Sequence, residues 1–183
     1  MAAGESRALT PSLIRGSLPV VAEGDEQREE VSAAFRLVCF QLAGQELGFP
    51  IEAVRETIRL RPITRVILTP PWLVGIFSLR GEIVPAVDIG PWLGMPTATL
   101  SPESRLVVLR NPGKPFGILV DQLAELRTLE RADLAPPPPT LAPPQAALIS
   151  GVATTPTGTV RIIDADALVA SDAMRSLRTP SPN

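Results

Sequence analysis

The chain repeats itself, and the repeat limits its fold more than any other feature. Sliding the sequence by 69 residues places Arg36-Leu37-Val38 on Arg105-Leu106-Val107, Gly44 on Gly113, Gly48 on Gly117 and Glu56 on Glu125. Glu52 then meets Asp121, Ile51 meets Val120 and Val54 meets Leu123. Six identities fall in the 23 ungapped positions from 36 to 58, where about one or two are expected by chance. Further along the offset becomes 76, with Gly75 on Gly151, Val84 on Val160 and Asp88 on Asp164. The seven extra residues are taken up by a loop, 134–145, that holds six prolines. A half of about 65 residues buries only a marginal core by itself. The two halves must therefore share their apolar faces.

Each half reads as short strands. The apolar runs Leu37–Phe40, Ile58–Leu60, Gly75–Phe77, Ile83–Val87, Leu106–Leu109, Gly117–Val120, Gly151–Ala153 and Val160–Ile163 are brief, and most contain β-branched residues. Turn residues separate them, as in Ala43-Gly44, Arg80-Gly81 and Thr157-Gly158. No long stretch has the 3.6-residue period of an amphipathic helix, so the pattern is all-β. Five short antiparallel strands tend to curl into a small barrel, which removes exposed edges. The expectation is an all-β protein of two five-stranded SH3-like or OB-like barrels, related by duplication and carrying short helices. The boundaries expected are 35–100 and 101–170. A flexible acidic tail precedes them over 1–34, and a flexible tail follows over 171–183.

Composition narrows the chemistry. The 183 residues include no histidine, no tyrosine, one cysteine (Cys39) and one lysine (Lys114). Serine–histidine and cysteine–histidine nucleophile pairs are excluded, as is a zinc site built on imidazole or several thiolates. Residues 1–34 carry net charge −3, residues 35–170 balance to zero, and the last thirteen are +1. No block is basic enough to track phosphates, so nucleic acid is not an expected partner. No apolar run approaches the roughly 20 residues that span a bilayer, and a signal-peptide core is lacking. A cytoplasmic protein without a cofactor is the expectation.

Four groups of residues could carry function. Asp88 and Asp164 are related by the repeat and each ends an apolar strand, which invites comparison with paired catalytic aspartates. The residues that follow, Ile89-Gly90 and Ala165-Asp166, lack the hydroxyl that such enzymes require. Both fit better as helix N-caps before short turns at 89–93 and 165–170. Cys39, inside a strand, reads as a small buried hydrophobe. Trp72 and Trp92 read as core or seam residues. In the segment Gly75 to Asp88, Arg80 falls at a hairpin tip, with Gly81 supplying the conformational freedom. Glu56, ending a run from the preceding hairpin, is its candidate ion-pair mate. Arg80 is either an ordinary surface arginine or a partner-facing one, and the residues alone leave that open.

Several segments in order resemble one family. They are Pro50-Ile51-Glu52-Ala53-Val54-Arg55-Glu56, then Ile63-Thr64-Arg65-Val66, then Pro70-Pro71-Trp72-Leu73-Val74-Gly75-Ile76. Leu79-Arg80-Gly81-Glu82-Ile83-Val84-Pro85-Ala86-Val87-Asp88 follows, with Gly117-Ile118-Leu119-Val120-Asp121 and Gly151-Val152 in the second half. From Phe35 to about Ala170 the chain resembles CheW, the coupling proteins of bacterial chemosensory arrays. The resemblance implies twin five-stranded barrels and a non-enzymatic adaptor. Its implied partners are the regulatory domain of a CheA-type histidine kinase and the cytoplasmic tip of methyl-accepting chemoreceptors, with no direct membrane insertion. It implies partner-binding roles for Val54, Glu56, Gly75, Leu79, Arg80 and Gly81. Ser78 stands where the family usually has asparagine. The alternatives are a general peptide-binding barrel module and a paired-aspartate hydrolase.

Overall fold

Strand by strand, apolar side chains alternate between two faces, and here both faces of the central strands are buried. A computed structural model describes residues 34–176 apart from Gly113. The first half contributes β1 (Phe35–Leu42), β2 (Gln45–Pro50), β3 (Val54–Arg59), β4 (Leu73–Leu79) and β5 (Glu82–Val87). The second contributes β6 (Arg105–Leu109), β7 (Phe116–Val120), β8 (Gln122–Leu129), the two-residue β9 (Leu134–Ala135), β10 (Ile149–Thr155) and β11 (Gly158–Ile163). Three short helices, α1 (Pro143–Ala146), α2 (Ala165–Ala170) and α3 (Asp172–Ser176), lie in the second half. The order strand, hairpin, strand, then strand, hairpin, strand recurs at the repeat offsets. The fold is all-β, with one small SH3-like subdomain built on each of two sheets.

The sheets do not follow the halves of the sequence. One has the order β8-β1-β2-β11-β10-β9 and the other β3-β6-β7-β5-β4. Each half has exchanged its opening hairpin with the other. The expected partition at residue 100 is therefore corrected: each subdomain is made from both halves. Each exchanged hairpin is held by a parallel junction on one side, β11 on β2 through Arg161–Leu47 and β5 on β7 through Val87–Ile118, and by an antiparallel pair on the other, β1 with β8 and β6 with β3.

Burial gives the reason. On β1, Leu37 and Cys39 enter the interior of one subdomain with Ala153, Val160 and Ile162. The opposite face of β1 and β2, with Phe40, Leu42, Leu47 and Phe49, enters a second cluster. On β6 and β7, Leu106, Val108 and Leu119 fill the other subdomain with Phe77, Leu79 and Val84. Their opposite face, Val107, Leu109, Phe116, Ile118 and Val120, meets the first hairpin in that same second cluster. So two hairpins, apolar on both faces, stand back to back in a shared seam. Phe40 and Phe49 stack there at 5.4 Å. Burying a side chain of this kind is worth about 1.5–3 kcal/mol, and no half could bury both faces alone.

Two glycines allow the exchanged strands to fit. A β-carbon at Gly117 would lie 3.0 Å from the Phe77 ring, and one at Gly48 3.3 Å from Leu37 Cβ. Gly75 and Gly151, the matched pair of the repeat, both sit at register shifts in their hairpins.

The C-terminal expectation also needs correction. Residues 172–176 form α3 and bury Met174 in the seam cluster rather than fraying. The apolar side chain has a place to go, which a tail would leave in water. The expectations for residues 1–33 and 177–183 lie outside the described residues.

The exchange makes a prediction. Residues 35–100 and residues 101–176, expressed separately, should each show no cooperative thermal transition by circular dichroism. Mixed in equal amounts from denaturant, they should recover one. A cooperative transition in either piece alone would contradict the shared seam.

Candidate functional site

The repeat and the hairpin chemistry converge at one corner of the five-stranded sheet. Arg80 and Gly81 form the two-residue turn between β4 and β5, closed by the Leu79–Glu82 pair. Both have positive φ, 52° and 85°. Two left-handed residues make the mirror-image turn that matches strand twist, and the first position ordinarily favours asparagine or glycine. Arginine there costs about 1 kcal/mol in backbone strain, so the position keeps a side chain that folding alone would not choose.

Arg80 reaches back to β3. Its Nη2 lies 3.1 Å from Glu56 Oε2. Arg55 continues the chain of charge, with Nε 3.8 Å from Glu56 Oε1 and Nη1 3.2 Å from Glu82 Oε2. The strand β3 is one edge of its sheet and the β4–β5 hairpin forms the other end. The Arg80–Glu56 pair thus ties the two ends of the curled sheet together. Arg80 is 74% exposed against 20% for Glu56, so the pair contributes only about 0–1 kcal/mol. It leaves a guanidinium displayed on a fixed tip.

The other four expected residues build the frame. Val54 and Leu79 are buried, in the seam and in the subdomain interior respectively. Gly81 supplies the second positive φ. Gly75 has φ +152°, and a β-carbon there would collide with the Thr64 carbonyl and come within 2.6 Å of an Ile63 methyl. The close approach is made by reciprocal backbone bonds: Ile76 N–H donates to Thr64 O at 2.9 Å and Thr64 N–H to Ile76 O at 2.8 Å. Ser78, the departure from the family pattern, is exposed on β4 beside this hairpin tip.

The aspartates serve the backbone. Asp164 caps α2, its Oδ1 accepting the Ala167 N–H at 2.9 Å. Asp88 is not a helix cap, since Gly90 holds that position before the short 3-10 turn Pro91–Leu93. Instead its Oδ1 accepts the Gly90 N–H at 2.9 Å and its Oδ2 the Ala98 N–H at 2.8 Å. Fully buried, it clamps the 88–98 loop. Each carboxylate is engaged by its own half. Trp72 and Trp92 make an edge-on pair at 5.2 Å against the seam, as expected. Among the described residues, no cluster of three or more acidic, cysteine or histidine side chains could hold a metal ion.

One feature went unread in the sequence. Arg127 on β8 grips Glu46 on β2 with Nε–Oε1 at 2.7 Å and Nη2–Oε2 at 3.3 Å, and donates to Thr157 Oγ1 at 2.8 Å. The hydrogen bonds to Glu46 push the guanidinium pKa up still further. No local pattern flags it, because its members are 81 and 30 residues apart. Cys39 lies beneath, fully buried. Burial pushes its thiol pKa up to about 11, with the Glu46 charge adding to the shift.

Comparison with known proteins gives this geometry a family. Residues 36–173 match the model of the CheW-like domain. The chain belongs to the CheW-like family. It is similar to the chemotaxis protein CheW of Treponema pallidum, 28% identical over 91% of this chain and 96% of that protein. It is also similar to protein FrzA of Myxococcus xanthus, 33% identical over 55% of this chain and 62% of that one. Among solved structures it resembles the scaffolding protein TtCheW of Thermoanaerobacter tengcongensis, with TM-score 0.68 and 28% identity, covering 78% of this chain and 92% of the other.

The buried thiol is testable. Cys39 is neutral when folded and has an ordinary pKa of 9.0 when exposed, so the unfolded state loses the proton first as pH rises. Stability is unaffected below pH 9 and falls between about pH 9 and 11, by up to about 1.4 kcal/mol per pH unit. The chain has no tyrosine and one lysine, so few other groups titrate in that window. Chemical denaturation at pH 8 and pH 10.5 should show the loss in the wild type and much less of it in Cys39→Ala. Equal losses in the two proteins would refute the assignment.

Proposed function

We propose that the protein is a non-enzymatic adaptor that couples chemoreceptors to a CheA-type histidine kinase. The observation that carries the reading is the Arg80–Glu56 tip: an exposed, strained arginine held at a fixed place by a carboxylate from another strand. Arginine on a preorganised support is the type of residue that dominates interfaces, because little freedom is lost on binding. Membership of the CheW-like family, and the chemotaxis and scaffold names of its relatives, support the direction of the reading.

In this reading Arg80 and Glu56 contact the cytoplasmic tip of a methyl-accepting receptor. Leu79, Gly75 and Gly81 act by holding the hairpin in register, and Val54 by anchoring the start of β3, which carries Glu56, in the seam. The kinase's regulatory domain is the second partner. The adaptor works in the cytoplasm and reaches the membrane only through its receptors. No turnover is attributed to it, since Asp88, buried, and Asp164, partly buried, are each engaged by backbone N–H groups.

Arg80→Glu tests the reading. It places two carboxylates together and removes the displayed cation. Receptor-dependent kinase control in a reconstituted array should drop about tenfold or more, while the melting temperature moves by less than about 3 °C, as for an exposed pair. Normal coupling by the variant would overturn the site. Failure of the wild type to bind any CheA-type regulatory domain would overturn the function.

A further inference from the structure

The two halves of the sequence complete each other's sheets, yet the backbone joins them only once, between Val87 and Arg105. The start of that connection belongs to the seam, where Ile89, Leu93 and Met95 are buried. The rest is thinly held. From Pro96 to Glu103 no side chain is buried, and Leu100 is 48% exposed.

The bonds that shape this segment are polar and mostly local. Ser104 Oγ accepts the Ser101 N–H at 2.9 Å, and Arg105 Nη1 donates to the Pro102, Glu103 and Ser104 carbonyls at 2.9, 2.7 and 2.8 Å. These form a turn and do not close the loop. Closure comes from Asp88, whose Oδ2 accepts the Ala98 N–H across ten residues. The Ala98 methyl then rests against the seam. Closure also needs Gly90, because a β-carbon there would lie 2.6 Å from the Pro96 carbonyl. Gly90 has φ −51° and ψ −53°, a backbone that alanine adopts freely. Its lack of a side chain therefore serves the close approach and not the local conformation.

The alternative to closure is exchange between chains. The seam and the parallel junctions are contacts between a first half and a second half, whichever chain supplies each. If 96–103 extends, the first half of one chain can meet the second half of another with every such contact remade. Eight extended residues reach about 26–29 Å. Pro96 and Pro102 bias the residues before them towards extended backbone.

We propose that the protein has a second folded form, a dimer in which two chains exchange halves across 96–103, and that the Asp88–Ala98 closure holds it in the single-chain form. The seam is the interaction surface and a second copy of this chain is the partner. The intact connection offers each half its own partner at an effective concentration of about millimolar, so the dimer forms on folding at high protein concentration. Once formed it is long-lived, because leaving it requires the seam to separate. The inference rests on the exchanged topology and not on the adaptor reading.

Two tests use the full chain. Asp88→Ala and Gly90→Ala each oppose closure, one by removing the acceptor and the other by crowding Pro96. Refolded at high concentration, each should give several-fold more dimer than the wild type by light scattering coupled to size exclusion, and the dimer should persist for hours after dilution. No increase in either variant overturns the proposal, as does a dimer that separates at once on dilution, which marks a surface contact. The second test is complementation. Phe40→Asp spoils the seam face of the first half and Phe116→Asp that of the second. Neither should fold alone. Refolded together they should yield a dimer with a cooperative thermal transition of about half the wild-type amplitude, since one unit is assembled from the two intact halves. Absence of both dimer and transition overturns the exchange.

Discussion

The structure depends on two short parallel junctions. At β2–β11 and at β5–β7, a strand of one half of the sequence lies beside a strand of the other. Everything else in the two sheets is antiparallel: local hairpins, and the pairs β1–β8 and β3–β6 that hold the other side of each exchanged hairpin. The junctions insert each opening hairpin into the opposite sheet and place the two hairpins back to back. That arrangement makes three apolar layers of short strands, two interiors and a seam. It also removes independent stability from either half, because a half without its partner has an unfinished sheet and an uncovered seam face.

The duplication has diverged where each sheet must be closed. In both, the tip of the last hairpin is tied to the strand that follows the exchanged hairpin of its own half. In one sheet the tie is Arg80 to Glu56, exposed and weak. In the other it is Thr157 to Arg127, with Arg127 also bound to Glu46 and the pair only 19% and 12% exposed. A partly buried ion pair with a second hydrogen bond resists opening, and removing one member leaves a desolvated charge, at a cost of about 3–5 kcal/mol. The same topological position therefore serves fold closure in one subdomain and display in the other. Cys39, under the inner tie, is kept neutral by that burial.

Much of this was legible in the residues. The repeat offsets of 69 and 76 pair the strands correctly, and the match of Gly75 with Gly151 marks two equivalent register shifts. Glu56 was found as the mate of Arg80 because a glycine turn fixes the tip and a small barrel brings the third strand round to it. The hairpin exchange was not legible. An apolar strand states that both its faces are buried but not by which partner, and the exchanged and unexchanged arrangements have the same local pattern. Asp88 was misplaced by two residues for a related reason: capping preference reads the start of a turn, while the second bond, to Ala98, comes from ten residues away. Met174 was missed because an amphipathic helix of five residues has too few positions to show a period.

Backbone strain separates ordinary turns from displayed ones. Among the described residues, Ala43, Leu68 and Arg80 are the non-glycine positions with positive φ. Ala43 is braced, since its N–H donates to Asp121 Oδ2 at 2.7 Å. Arg80 is braced by Glu56 from a neighbouring strand. Leu68 has only the turn beneath it. Each such residue costs about 1–2 kcal/mol, against a total stability of about 5–15 kcal/mol for a domain. A small side chain such as Ala43 at a hairpin turn requires no special account. A long cation and a bare leucine do, because each combines the same strain with a side chain that gains nothing from the core. Strain of this kind persists where the surrounding structure determines it and something outside the fold uses it. On that physical ground the two tips, one polar and one apolar, are the places in the described surface where backbone strain is not offset by burial of the side chain.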